Sequence, residues 1–385
     1  TQGSMQSFLK GFQGLESNQY FTSLMPAYMF FVITFLANIW VIYYGIKGGI
    51  ERLCKVAMPL LFLFGILIMI RVLTLGAPDP AKPAWNISNG LGFLWNPDFT
   101  VLKSARVWLA AAGQIFFTLS VGIGVILTYA SYLSKGDDVV LSGLSAVSMN
   151  EFAEVIIGGS IVIPAAFIFF GPVEIGTIAK SGAFNLGFVT MPLIFEKLIM
   201  GAFFGCIWFL LLFLAGITSS VSLAQPAVAF LEDEFDISRK RAVMIFGIAT
   251  FILCQPVIFL LGKGIVNELD FWGGTFCLVL FATVEIILFA WIFGMKNAWK
   301  EIHHGADMNV PGIYKFIIKY ITPLFLILIL GFWLYQDGIP TILMKNVAAY
   351  DRPYVLAARA FLVILFLALA VMVKVAWRRK RRARV

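Results

Sequence analysis

Residues 113–125 read GQIFFTLSVGIGV, inside an apolar stretch, 106–133, that is long enough to cross a membrane. Thr118, Ser120, Gly122 and Gly124 crowd into it, shortly after Gln114. A glycine in a helix interior costs about 1 kcal/mol, and a polar group in hydrocarbon is costly unless it is paired. Two readings follow. The small residues could form a close-packed helix–helix seam, or the helix could break here so that its freed backbone groups bind something polar.

The rest of the chain places this stretch in a membrane. Of its 385 residues, 60% are hydrophobic and 13% charged, with a mean hydropathy of +0.91. Soluble domains carry about 25% charge, so the composition is that of an all-α polytopic membrane protein. Apolar windows of bilayer length fall near 22–44, 56–75, 106–133, 143–170, 199–230, 243–262, 272–294, 313–335 and 354–377, which predicts about nine transmembrane helices. Connector 76–105 contains APDPAKPAWNISNG and reads as a loop. Connector 171–198 is too apolar for a free loop and predicts a short helical hairpin on the outer membrane surface.

The formal charge of +8 does not point to nucleic acid. Arg378, Arg379, Lys380, Arg381, Arg382 and Arg384 form a tail, 378–385, directly after an apolar helix, as a juxtamembrane anchor does. Lys47, Arg52 and Lys55, then Arg239, Lys240 and Arg241, then Lys296 and Lys300 fall on the same side as this tail if the spans alternate. The positive-inside rule then predicts a cytoplasmic C-terminus and an outer N-terminus. No signal peptide is visible, and the chain opens TQGSMQ. Together these lead to the expectation that spans upstream of this sequence are missing from it.

Enzymatic chemistry finds no support. Cys54, Cys206, Cys254 and Cys277 lie in or beside apolar runs without metal-type spacing and read as small buried hydrophobes. His303 and His304 are the only histidines, both in a connector, and none of the common catalytic motifs occurs.

Polar residues at membrane depth are functional candidates by default. Thr218, Ser219, Ser220 and Ser222 in LAGITSSVSLAQP (214–226) supply hard oxygen ligands suited to an alkali cation, or bond the preceding turn of their own helix. Asn150 and Glu154 are four apart on one helix face; Glu154 could carry a proton in one state and a charge in another, or the pair could serve as interhelical hydrogen-bonding groups. Glu285 reads as structural polarity. Asp270 in ELDFWGG reads as a helix cap.

The runs GQIFFTLSVGIGVILTYASYLSK, VVLSGLSAVSMNEFAEVIIGGSIVIPAA and FLLLFLAGITSSVSLAQPAVAFLEDE closely resemble the neurotransmitter:sodium symporter family, in particular its bacterial amino-acid transporters. The similarity runs over the whole chain as a single transporter domain, 1–385. It implies a LeuT-like inverted-repeat fold that is incomplete here, with helices 4 to 12 present and the first three of twelve missing. Residues 22–75 would end the first repeat, 106–294 would form the second, with the hairpin 171–198 in it, and 313–377 would be helices 11 and 12.

The resemblance also implies a site. Phe117, Thr118, Ser120 and Ile123, with Ser219 and Leu223 opposite, would line the substrate pocket, Phe117 as its lid. Thr118 and Asn150 would ligate one sodium ion; Ala215 through its carbonyl, Thr218 and Ser219 would ligate a second. Each Na+ site would be only partly supplied by this chain. Asp270 would act in the outer gate and Asp233 in the cytoplasmic gate, with Gln114 among the gate and coupling residues. Gly49 and Pro59 match a helix 5 motif linked to inward opening. Glu154 stands where chloride-dependent relatives carry serine, which implies chloride independence. Ile123 stands where a bacterial member carries phenylalanine, which leaves the substrate side chain open between aliphatic and aromatic.

The expected function is therefore sodium-coupled symport of a neutral amino acid by alternating access, in a bacterial inner membrane. The expected partners are the amino acid, lipid and the missing helices 1 to 3, and not nucleic acid. The alternative is a non-transporting truncated or regulatory membrane protein of the same family.

Overall fold

A computed structural model describes residues 2–180, 182–345 and 347–383; Arg384 of the basic tail lies outside the described residues. In chain order its helices are α1 (Gln2–Phe12), α2 (Met25–Tyr43), α3 (Ile46–Leu73), α4 (Ile87–Trp95), α5 (Ala105–Thr118), α6 (Val125–Ala130), α7 (Val139–Glu151) and α8 (Val162–Lys180). They continue with α9 (Ala183–Glu196), α10 (Gly201–Phe235), α11 (Arg239–Phe259), α12 (Ile265–Ile292), α13 (Met295–Ile302), α14 (Ile313–Ile342) and α15 (Arg352–Ala383). Among the described residues, eight helical stretches are long and apolar enough to cross a membrane.

The ninth expected span, 106–133, is not one helix. It stops at Thr118 and restarts at Val125, because Ser120 (φ 57°), Gly122 (φ 77°) and Gly124 (φ 76°) all take the left-handed conformation, which an α-helix cannot absorb. Two other boundaries also move. The expected connector 45–55 is already helical from Ile46, because Gly45 (φ 81°) makes the reversal in one step. The expected span 143–170 is part of one apolar stretch from Val139 to Lys180 that breaks at Gly171 (φ 82°), where the Trp85 indole packs on the glycine. Residues 172–180 and α9 are both helical.

The chain divides into two compact units. One comprises residues 1–98 with Ser148–Ser222, the other Phe99–Val147 with the residues from Leu223 onward.

In the first unit, the buried core joins Ile68 and Val72 of α3, Ile157 and Ile161, Ala165 and Ala166 of α8, Met191 and Ile194 of α9, and Trp208 of α10. The Trp208 indole N–H donates to the Gly187 carbonyl at 3.0 Å, so its one polar atom is paired in an apolar setting. α4 lies on α8, and its N-cap is made by Asn86, whose side chain accepts the Asn89 N–H at 2.9 Å. Gly49 in the turn opening α3 sits where a Cβ would come within 2.0 Å of the Val41 carbonyl oxygen. The expected result for Gly49→Ala is a loss of about 1–3 kcal/mol, the usual range for overpacking, read as a lower melting temperature in detergent. Gly48→Ala, whose nearest neighbour is 3.8 Å away, should be close to neutral.

In the second unit, Leu109 and Ala112 of α5, Val279 of α12, and Leu326, Ile329 and Trp333 of α14 form the core. α5 is fixed at its start by the Gln336 side chain, which accepts the Ala105 N–H at 2.8 Å. Asp138, just before α7, accepts the N–H groups of Leu141 (2.8 Å) and Asp307 (2.9 Å). These bonds, Leu141's foremost, hold its carboxyl below the usual carboxylate range.

Candidate ion and substrate site

The interruption between α5 and α6 carries four of the expected substrate residues. α5 unwinds through turn bonds from Ser120 N–H to Phe117 O (3.1 Å) and from Val121 N–H to Phe116 O (2.8 Å). The Thr118 hydroxyl donates to Ile115 O at 3.2 Å and is half-buried, as are Ser120 and Ile123, whereas Phe117 is exposed. A helix that ends in this way leaves carbonyl oxygens without intrahelical partners, and such carbonyls with an adjacent hydroxyl form the oxygen-rich surroundings an alkali cation prefers.

The segment is held from α12. Gly122 is buried, and a Cβ there would stand 2.6 Å from the Leu278 carbonyl oxygen. A cavity of about 870 Å³ runs from Gly122–Gly124 past Phe281 and Glu285 to Leu362 and Phe366. Of the residues expected to bind substrate, Ile123 alone lines it.

The first unit holds the other group. On α10, the Thr218 hydroxyl is within hydrogen-bond reach of Leu214 O (2.8 Å) and Ala215 O (3.2 Å), so two of the expected sodium ligands, Thr218 and the Ala215 carbonyl, stand side by side. Ser222 donates to Thr218 O at 2.9 Å. The Ser219 side chain is exposed. Asn150 and Glu154 are both half-buried, with the change from α-helix to π-helical turns (Phe152–Gly158) falling between them. A π-helical turn widens the helix and often marks a functional position, so the simple four-residue spacing expected of this pair is not the local geometry.

Ala215, Thr218 and Ser219, the three residues expected at the second sodium, all belong to the first unit; of the pair expected at the first sodium, Asn150 belongs to the first unit and Thr118 to the second. Leu223 falls in the second unit and is exposed.

The expected gate residues Gln114, Asp270 and Asp233 are exposed. Asp270 opens a π-helical stretch, Asp270–Phe276, rather than capping a helix. The acids flanking Asp233 are paired: Glu232 with Arg239 at 3.1 Å and Glu234 with Lys380 of the basic tail at 2.9 Å.

Two polar clusters escaped the sequence reading. Gln225, fully buried, donates to the Tyr132 hydroxyl at 3.0 Å and accepts from Arg239 at 2.9 Å. Glu268 takes the Arg359 guanidinium at 2.9 Å and the Trp272 indole N–H at 2.9 Å. The same guanidinium donates to Ile342 O (2.7 Å) and Thr341 O (2.9 Å) and lies 5.4 Å from the Trp272 ring centre. A glutamate near one end of an apolar helix was the visible signal, but its partner lies 91 residues away.

The interrupted span, with hydroxyls at the break, stands among continuous apolar helices long enough to cross a membrane. Comparison with known proteins gives the family. The sequence model of the sodium:neurotransmitter symporter family matches residues 5–382, and the chain belongs to that family. A sodium-dependent transporter of Methanocaldococcus jannaschii is 28% identical over 333 residues, 86% of this chain and 64% of the relative. The transporter YhdH of Bacillus subtilis is 31% identical over 314 residues, 77% of this chain and 64% of its own length. The crystal structure of MhsT in complex with L-phenylalanine matches with a TM-score of 0.72 at 29% identity, covering 85% of this chain and 71% of MhsT. The fold is the LeuT-like one. The chain spans just under two thirds of the length of these two relatives.

Proposed function

We propose that this chain serves sodium-coupled symport of a neutral amino acid by alternating access, with the α5–α6 break as one half of the binding centre. The observation that carries the reading is the break itself, with Thr118 and Ser120 placed where the helix ends. Family membership and the sodium-dependent relatives support the coupling ion. MhsT with bound L-phenylalanine and the sodium-dependent nutrient amino acid transporter 1 of Drosophila grimshawi support the substrate class. Thr118 with Asn150, and Ala215 with Thr218 and Ser219, are the ligands we assign to two sodium ions. Phe117, Thr118, Ser120, Ile123, Ser219 and Leu223 are assigned to the amino acid. Asp270, Asp233 and Gln114 are assigned to gating, and the C-terminus to the cytoplasmic side.

The test is uptake of labelled phenylalanine and leucine into proteoliposomes. We expect accumulation under an inward sodium gradient and its collapse when choline replaces sodium. Thr118→Ala or Thr218→Ala should raise the sodium half-saturation about tenfold or more, the effect of losing one contact to a charged group. Uptake that ignores sodium would overturn the reading, and no uptake at all would favour the non-transporting alternative.

Chloride independence is assigned to Glu154, whose carboxylate supplies the negative charge that an anion would otherwise bring. Uptake should persist when gluconate replaces chloride, and Glu154→Ser should make it chloride-dependent. The sodium- and chloride-dependent glycine transporter 2 of Xenopus laevis, 26% identical over 303 residues, shows that chloride use occurs among relatives, which is why this arm is needed.

A further inference from the structure

The hydroxyl cluster of α10 has a fastening outside itself. The Ser220 hydroxyl reaches the Asn38 side-chain oxygen on α2, 182 residues away in sequence, and also lies 3.0 Å from the Ile217 carbonyl oxygen of its own helix. Asn38 is in turn anchored to its own helix, its side-chain N–H donating to Thr34 O at 2.8 Å. Its oxygen is thereby aimed, and the donor that meets it is the Ser220 hydroxyl. An α-helix advances about 100° per residue. Measured from Ser220, Ser219 lies about 100° around the helix, Thr218 about 160° and Ala215 about 140°. The three residues assigned to the second sodium therefore all point away from the side held by α2, Thr218 and Ala215 most directly.

We propose that Asn38 is a positioning residue for that sodium site: by receiving Ser220 it sets the rotation of α10 at which the Ala215 carbonyl, Thr218 and Ser219 are presented to the ion. This rests on the sodium reading above. In this role Asn38 acts through Ser220 and is not itself assigned as an ion ligand. Polar pairs between helices in a membrane contribute modestly on average, and losing one corresponds to about a three- to fifteenfold change in an equilibrium.

The experiment is a sodium titration of uptake, paired with the sodium-induced rise in melting temperature as a readout independent of transport. Asn38→Ala and Ser220→Ala should each raise the sodium half-saturation about three- to fifteenfold, with KM for the amino acid at saturating sodium within about twofold of wild type. The double variant should be no worse than either single one, and Ser220→Thr, which keeps the hydroxyl, should titrate like wild type. Unchanged sodium half-saturation in a folded Asn38→Ala protein, or penalties that multiply in the double variant, would overturn the proposal. If Asn38→Ala fails to fold, the contrast between Ser220→Ala and Ser220→Thr carries the decision. Should Thr218→Ala also leave the sodium response unchanged, the sodium reading itself has failed; a sensitive Thr218→Ala beside an insensitive Asn38→Ala defeats only the role of Asn38.

Discussion

Gly122→Ala is expected to reduce sodium-driven uptake by more than tenfold and to lower the melting temperature. Its Cβ would meet two backbone atoms of α12, the Leu278 carbonyl oxygen at 2.6 Å and the Ala282 nitrogen at 3.2 Å. Neither can rotate aside as a side-chain tip could. The left-handed torsion adds about 1–2 kcal/mol for any residue with a Cβ. Gly124→Ala separates the two contributions. Its torsion is nearly the same (φ 76°), but the nearest atom, Pro226 Cβ, is 3.8 Å away. That variant should show the torsional cost alone and keep a substantial part of the uptake. Equal losses in the two variants would mean that close approach to α12 has no bearing on the break.

The second large effect is expected at the Glu268–Arg359 pair. The two side chains are only 15% and 18% exposed, so Arg359→Leu strands a largely buried carboxylate. Breaking a buried pair from one side costs about 3–5 kcal/mol. Replacing both partners, Glu268→Leu with Arg359→Leu, should recover much of this, because apolar substitution of a whole buried pair is often neutral. The Trp272 indole N–H, left without its acceptor, should keep the recovery incomplete. Unfolding of the purified protein in detergent, followed by intrinsic fluorescence, measures both. A double variant as unstable as Arg359→Leu would show that the pair is not the source of the loss.

Much of the helical frame was legible because hydrocarbon demands runs of apolar residues, and those runs stand out in the sequence. The boundaries that moved did so at glycines: Gly45 and Gly171 adopt positive φ, which no composition pattern reveals. The choice between a packing seam and a break at 113–125 could not be made locally, since the same small residues serve both. It turned on Ser120, Gly122 and Gly124 adopting left-handed torsions, and Gly122 in fact serves both ends, unwinding the helix while packing against α12. The clusters around Gln225 and Glu268 were illegible for a different reason. Their meaning lies in partners brought together by folding, and no window along the chain contains both halves. The π-helical turns at Glu154 and Asp270 were hidden similarly, because they depend on how neighbouring helices pack.

The approach of Gly122 to α12 has a consequence for how the break and that helix can move. A Cβ on Gly122 would stand 2.6 Å from the Leu278 carbonyl oxygen, so backbone meets backbone there with no side chain between. Close-packed contacts transmit strain, and this one has no compliant rotamer to absorb it. A shift of α12 at Leu278 therefore passes to the break undamped, as through a keyed joint.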